Sequence, residues 1–253
     1  MFAIADFLAR PELAPVSTAW TALVTGALIW TCGGRRLSVR GLEHVLAFDR
    51  DSSFVVVANH RSFFDFFIVS AILYWRTTVS RRMFYPTRGT FFYDRTLGHL
   101  VNLAMSGGRM FPPVMREAEK RSFNRYSLER CLAELDVPGT ILAIHPEGTR
   151  NKGPDPYALL KAQPGAGRLA LSGYPTIPVF VLGMTNSLPK EAVANWTAPS
   201  DHPIDVWFGP PVPVDDLLPR AHNLRAQVEA GERCIGSIRA LAEQQRRQRL
   251  EKP

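Results

Sequence analysis

The sequence has few cysteines and none of the patterns that cysteines form at metal or redox sites. Its three cysteines, Cys32, Cys131 and Cys234, lie far apart, and no C-x-x-C occurs. A disulfide framework is therefore not expected, and the odd number fits reduced thiols in a cytosolic compartment. The six histidines are dispersed and none lies near a cysteine, so we predict no metal site.

Internal repeats, low-complexity blocks and the G-x-S-x-G turn of serine hydrolases are absent too. Without that turn, we expect no nucleophile supplied by the protein itself. The 253 residues are 46% apolar and 21% charged, which is the composition of a globular protein. This length fits one large domain, or one domain with a small appendage.

Acidic residues are fewer than basic ones, and the net charge is +7. Such a charge suits a nucleic acid, an anionic bilayer or a phosphorylated substrate, although a solvated basic surface has the same composition. No nucleic-acid-binding motif accompanies the charge, so we do not predict a nucleic-acid partner. The basic stretch at 246–249, "RRQR", suits anionic lipid headgroups instead.

Residues 13–34 carry no charge, and this length is close to the roughly 20 residues that cross a bilayer. No basic region precedes the stretch, so it is not a typical secretory signal. It can span, with Arg35 and Arg36 on the cytoplasmic side, or lie in the interface with Trp20 and Trp30 as anchors. A buried helix remains an alternative. We predict a helical, membrane-associating segment over 1–40, on the cytoplasmic face.

Short β-branched runs alternate with helical patterns through the rest of the chain, 41–253. This alternation predicts an α/β domain whose mostly parallel sheet is flanked by helices, and which ends in a basic helix. The predicted strands are 54–58, 82–87, 140–144, 176–184 and 204–209. The predicted helices are 63–75, 96–105, 116–135, one starting near 165, and 224–250.

The first polar motif, "NHRSFFD", follows the predicted strand 54–58. The loop that carries His60 can fold back over the first helical turn, where Asp65 lies. Asp65 would then fix the tautomer of His60, whose other nitrogen takes a proton from a hydroxyl group. Alternatively, Ser62 and Asp65 form a capping box and have no catalytic part. The two interpretations can hold together.

A second polar turn, "HPEGTR", follows the predicted strand 140–144. It contains Glu147, Gly148, Thr149 and Arg150. Gly148 permits close approach of the backbone, and Arg150 offers a planar fork of donors that suits phosphate. Glu147 could orient Arg150 or accept from a substrate hydroxyl. Lys161 and Arg168 flank a helix start, which favours anions. A plain turn with a surface salt bridge is the alternative.

Four blocks in this order resemble the glycerolipid acyltransferase family, which includes the 1-acylglycerol-3-phosphate acyltransferases. "NHRSFFD" is similar to its N-H-x-x-x-x-D motif, and "HPEGTRN" to its F-P-E-G-T-R-S block. "LLKAQPGAGRLALSGYPTIPVFVLG" resembles its K-x-G-A segment and the I-P-V strand that follows. "VWFGPPV" resembles its F-G-x-P-I block. The resemblance covers roughly residues 40–215.

The resemblance implies a glycerol-3-phosphate acyltransferase-like fold and an acyl transfer to the free hydroxyl of a lysophospholipid. The donor would be acyl-CoA or acyl carrier protein, and no cofactor is implied. His60 would be the general base and Asp65 would orient it. The acceptor would be bound by Glu147, Gly148, Thr149 and Arg150, with Arg150 on its phosphate. The enzyme would be attached to a membrane by its N-terminal helix.

The chain departs from the family pattern at several positions. His145 stands where phenylalanine is usual, and Asn151 where serine is usual. The block between the two motifs aligns poorly with "GGRMFPPVMR" at 107–116, so that both Arg109 and Arg116 are candidates for a phosphate contact. Another hydroxylated lipid is therefore an alternative acceptor. A non-catalytic lipid-binding protein is a further alternative, which the intact His60–Asp65 pair opposes.

Overall fold

The computed structural model describes residues 10–79, 82–115 and 121–251, together with residue 7. Arg116 lies outside these residues, so its predicted phosphate contact stays a prediction. The strands, in chain order, are β1 (Leu37–Arg40), β2 (Phe54–Ala58), β3 (Arg82–Phe84), β4 (Thr87–Arg88), β5 (Pro113–Val114), β6 (Thr140–Ile144), β7 (Thr176–Leu182) and β8 (Ile204–Phe208).

Six of these strands form the main sheet, in the order β1-β8-β7-β2-β6-β3, and β4 pairs with β5. The four strands from β7 to β3 are parallel to one another. β8 runs antiparallel to β7, and β1 runs parallel to β8. Every residue of β2 is buried, as a central parallel strand requires, which explains its continuous apolar run.

Helices cover both faces of this sheet. They are α1 (Pro11–Arg36), α2 (Glu43–Leu46), α3 (Asp65–Arg76), α4 (Gly89–Phe92), α5 (Thr96–Ser106), α6 (Arg121–Leu135), α7 (Pro164–Ala170), α8 (Leu188–Thr197) and α9 (Leu224–Glu251). Val56 and Ala58 of β2 point into a core with α1 and α3, while Val55 and Val57 point towards α6, α7 and α9. The predicted α/β fold, with a mostly parallel sheet between helices, is confirmed.

The N-terminal helix α1 is packed against the rest of the protein along one side. Hydroxyl groups on this side donate to backbone carbonyls of the α5 region, from Thr25 to Met105 and from Ser17 to Gly107. In the part of the chain that the structure describes, α1 is the one helix long and apolar enough to cross a membrane. The strand that follows it, β1, lies within residues 1–40, yet it pairs with β8 in the main sheet.

Arg36, at the end of α1, forms a buried ion pair with Glu191 of α8, at 2.6 Å. The same guanidinium group donates to the carbonyls of Gly183 and His202. Five donors in a rigid fork let a single arginine satisfy several acceptors at once, which suits a buried position. Arg36 therefore joins the end of α1 to α8 and to the segment after β7.

Candidate active site

The carboxyl ends of β2, β6 and β7 meet at one edge of the sheet, where binding sites of α/β proteins lie. The amide of Asn59 extends the ladder between β2 and β7, since it bonds both the carbonyl and the N–H of Val181. The next residue, His60, donates its N–H to Glu147 and accepts from the N–H of Asn151, each at 2.8 Å. The backbone of the first motif is thus fixed by the second.

The imidazole of His60 lies beside the carboxylate of Asp65, with 3.4 Å between Nδ1 and Oδ2. The same oxygen accepts the backbone N–H groups of Arg61 and Ser62, each at 2.8 Å. The hydroxyl of Ser62 in turn accepts the N–H of Phe64. The carboxylate half of a capping box, from Asp65 to the N–H of Ser62, therefore occurs together with the His60–Asp65 contact, whereas the hydroxyl of Ser62 bonds Phe64 and not Asp65. The helix begins at Asp65 itself, because the preceding turn wraps around this carboxylate.

Thr185, which follows β7, closes this turn from the opposite side. Its carbonyl accepts the hydroxyl of Ser62 at 2.8 Å. Its own N–H and hydroxyl both donate to Glu191, the partner of Arg36. The turn around Asp65 is therefore linked through two side chains to the end of α1.

His145 contributes a second imidazole to the site. Its ring is stacked on that of His60, with 3.7 Å between ring centroids and 8° between ring planes. Its other face lies against Phe66, at 3.8 Å between centroids. Its Nδ1 is 3.0 Å from the carbonyl oxygen of Ala58, so this nitrogen carries the proton and donates it. Burial, and then the neighbouring His60, lower the pKa of His145 well below its usual value.

His60, Asp65 and His145 place one nitrogen or oxygen atom each within 4.8 Å of one another. Zinc binds imidazole nitrogen at about 2.0–2.1 Å, along the lone pair in the ring plane. Two nearly parallel, stacked rings cannot direct their lone pairs at a single ion. The arrangement is therefore suited to proton transfer and does not fit a metal.

The second motif places Arg150 at the exposed mouth of the site. Gly148 has a φ of 65°, and a Cβ atom there would lie 2.7 Å from the side chain of Gln163, so the turn favours glycine. The guanidinium group of Arg150 donates one N–H to the side chain of Asn186, at 3.0 Å. Asn186 also accepts the N–H of Phe63. Arg150 is thus held next to the first motif, with its other donors available.

Glu147 has a different environment from Arg150. It is 1% exposed, and its two oxygens accept the backbone N–H groups of His60 and Leu160. This position gives Glu147 a structural part in the site, and the acceptor contact expected from the motif has no support from the geometry. Thr149 is exposed beside Arg150, and Lys161 is exposed next to Leu160.

Arg109 is buried elsewhere, beside Arg82 of β3. Both arginines are 4% exposed, and Arg82 is paired with Glu134 of α6. The register places Arg82 opposite Thr140, the first residue of β6, whereas the site lies after the last one. Burial lowers the pKa of Arg109. The carbonyl of Arg109 accepts the N–H of Tyr85, just after β3, and no contact among the described residues joins its guanidinium group to Arg150.

An apolar cleft lies between α1, α3 and the start of β8. Its lining is almost entirely hydrophobic, with Trp30 and Leu37 on one side, Ile68 and Ile72 on another, and Met184 at one end. Met184 immediately precedes Thr185, which holds the turn around Asp65. The cleft is therefore close to the catalytic candidates.

Residues 36–182, more than half of the chain, match the family model described as Acyltransferase. The chain belongs to the acyltransferase family. Its fold is similar to the crystal structure of the 1-acyl-sn-glycerophosphate (LPA) acyltransferase PlsC from Thermotoga maritima, with a TM-score of 0.55 and 19% identity. That similarity covers 91% of this chain and 80% of the other. No curated protein sequence gives a significant match.

Two residues of this acyltransferase take part in the site although the sequence did not single them out. Asn186 holds Arg150, and the guanidinium group of Arg61 donates to the carbonyls of Gly153 and Asp155 in the loop beyond the second motif. A polar residue just after a predicted buried strand was the available signal for Asn186. For Arg61, the one available signal was its position next to His60 in the sequence.

The carboxyl group of Asp65 generates a pH-dependent prediction. Burial, as the largest effect, raises its pKa from 3.8 to about 6. As the pH rises from about 4 to about 6, the unfolded chain releases this proton before the folded protein does. The free energy of unfolding of the wild type, relative to Asp65→Asn, should therefore fall by roughly 3 kcal/mol across this window.

Urea denaturation of both proteins at a series of pH values measures this difference. Asparagine keeps an oxygen for the two backbone N–H groups and removes the charge. Asp201→Asn, at an exposed position, is the matched control for the loss of one carboxyl group. A constant difference between wild type and Asp65→Asn from pH 4 to 7 would contradict the prediction.

Proposed function

We propose that this acyltransferase moves a fatty acyl group from acyl-CoA or acyl carrier protein to the free hydroxyl of a lysophospholipid. The acceptor that fits best is 1-acylglycerol-3-phosphate, which becomes phosphatidic acid. One observation carries the proposal: an imidazole paired with a buried carboxylate lies on the same edge of the sheet as the exposed fork of Arg150. This edge offers a base for a hydroxyl group beside a donor group for a phosphate.

The chemical step is a direct transfer between two bound substrates. With Nδ1–H of His60 directed at Asp65, the Nε2 atom is the base that removes the proton from the acceptor hydroxyl. The hydroxyl oxygen attacks the thioester carbonyl, and a tetrahedral oxyanion forms. Its collapse breaks the C–S bond, and the departing thiolate takes the proton from His60. The ester and the free thiol are the products.

Arg150 supplies the contact with the acceptor phosphate. Its side chain is exposed, and Asn186 occupies only one of its nitrogen atoms, so that two parallel N–H donors can face a phosphate monoester. A phosphate held there would leave the acceptor hydroxyl at the same edge of the sheet as His60. Positioning of two substrates in this way contributes a large part of such rate accelerations.

The apolar cleft beside the site has a volume of about 20 Å³, so it would have to widen to hold the acyl chain of the donor. Its walls come mainly from α1 and α3 and are mostly apolar. Each methylene group buried there would contribute about 0.8 kcal/mol.

Side chains that α1, α5 and α8 leave exposed support membrane association. These helices are neighbours, because the indole of Trp20 donates to Ala104 and that of Trp196 donates to Thr31. The exposed apolar residues on the three helices are Val16, Trp20, Leu23, Val24, Trp30, Leu97, Leu100, Leu103, Val193 and Trp196. Since α1 also packs on the core, we place it in the interface of an anionic membrane, on the cytoplasmic face.

Removal of the base tests the proposed chemistry. His60→Ala should lower kcat by about 10²–10⁴-fold, the usual contribution of a general base. The assay is thiol release from a long-chain acyl-CoA with 1-acylglycerol-3-phosphate, and mass spectrometry identifies the lipid product. His222→Ala, at an exposed histidine, is the control. Near-normal transfer by a folded His60→Ala protein would refute the role of His60.

The acceptor contact is tested by Arg150→Lys, which keeps the charge and loses the fork. We expect the KM for 1-acylglycerol-3-phosphate to rise by roughly tenfold, with a smaller change in kcat. A monoacylglycerol, which lacks the phosphate, should have the same KM with both proteins. Arg225→Lys, at an exposed arginine of α9, is the matched control. An unchanged KM for the phosphorylated acceptor would remove Arg150 from this role.

The membrane surface is tested with a double variant, Leu100→Glu with Val193→Glu, at exposed positions on α5 and α8. Two carboxylates should weaken co-sedimentation with vesicles rich in phosphatidylglycerol at least tenfold, because each opposes both burial and the anionic headgroups. Val228→Glu, at a similarly exposed valine of α9, should bind as the wild type does. Equal binding by all three proteins would exclude this surface.

A further inference from the structure

We propose that His145 is a positioning residue that holds the ring of His60 against Asp65 and favours the protonated form of His60 less than a phenylalanine would. This proposal rests on the proposed role of His60 as the base. It concerns a position where phenylalanine is usual in the family, and where an imidazole has a different electrostatic effect on its neighbour.

The positioning part follows from the stack of three rings. Phe66 lies against one face of His145, and the opposite face of His145 covers His60. The ring of His145 cannot rotate freely, because its Nδ1–H donates to the carbonyl of Ala58. A fixed, parallel neighbour at 3.7 Å limits the ring of His60 to orientations in which one nitrogen faces Asp65.

The electrostatic part follows from the groups that face the two imidazoles. Asp65 is the acidic group in contact with His60, whereas both oxygens of Glu147 are bound to backbone N–H groups. The cationic Arg61 is directed away, towards two loop carbonyls. Burial keeps His145 neutral, and a proton on either stacked ring opposes a proton on the other.

A phenylalanine at position 145 would act differently on His60. The face of a benzene ring attracts a cation, so a stacked phenylalanine favours the protonated form of the base. A neutral imidazole with nitrogen atoms in the ring offers a weaker attraction to the charged form of His60. With His145 beside it, His60 therefore keeps its neutral, basic form down to a lower pH than with phenylalanine at position 145.

The experiment compares wild type, His145→Phe and His145→Ala by NMR titration of the histidine rings and by the pH dependence of kcat/KM. The signal of His60 is identified by its loss in His60→Gln. In His145→Phe, the titration midpoint of His60 should rise by about half a pH unit. A cation–π contact stabilises the charged form by a free energy that corresponds to a shift of this size. The acidic limb of kcat/KM should move by the same amount.

The positioning effect is read from kcat at a pH where His60 is neutral. His145→Ala removes the stack, so kcat should fall by roughly tenfold or more while KM changes little. His145→Phe restores a ring of similar size and should recover most of kcat at that pH. A structural role alone would not separate the two variants in this way.

Identical titration of His60 in wild type and His145→Phe would overturn the electrostatic effect, and wild-type kcat in a folded His145→Ala protein would overturn the positioning effect. A wild-type protein that transfers no acyl group to any lysolipid would instead refute the proposed function. The NMR titration needs no turnover and would still decide on His145.

Discussion

The site depends on the fixed position of one residue, His60, at the end of a central strand. Its N–H group and its carbonyl are both bonded by the second motif, from Glu147 and Asn151, more than 80 residues away along the chain. The bonds are possible because β2 and β6 are parallel neighbours whose ends coincide. The buried carboxylate of Glu147 therefore holds His60 in place whether or not it contacts a substrate.

Much of the fold could be predicted because buried parallel strands are short, continuous and β-branched. β2 and β6 were predicted at the positions that they occupy. β1 was missed, because it is a half-exposed edge strand of four residues that ends in an arginine, without a clear alternation. α8 was missed as well, since its exposed face carries Val193 and Trp196 and the apolar period is lost.

The candidate site was predictable where its contacts are local. The interval from His60 to Asp65 contains the capping-box spacing, and the fold of one turn brings the two side chains together. The stack of His145 on His60 and the bond from Asn186 to Arg150 depend on the order of strands in the sheet. Spacing along the chain has no information about that order. Arg109 and Arg150 were both predicted to contact a phosphate, although one is buried and the other exposed.

The ion pair between Arg36 and Glu191 has a mechanical consequence for the protein at a bilayer. It connects the last turn of α1 to Thr185, and Thr185 contacts the turn that wraps around the carboxylate of Asp65. The helix that we propose to lie among lipid headgroups is thus connected to the candidate site by a continuous chain of contacts. The depth and tilt at which the helix settles would fix how high above the lipids the hydroxyl of an incoming substrate must rise to be acylated.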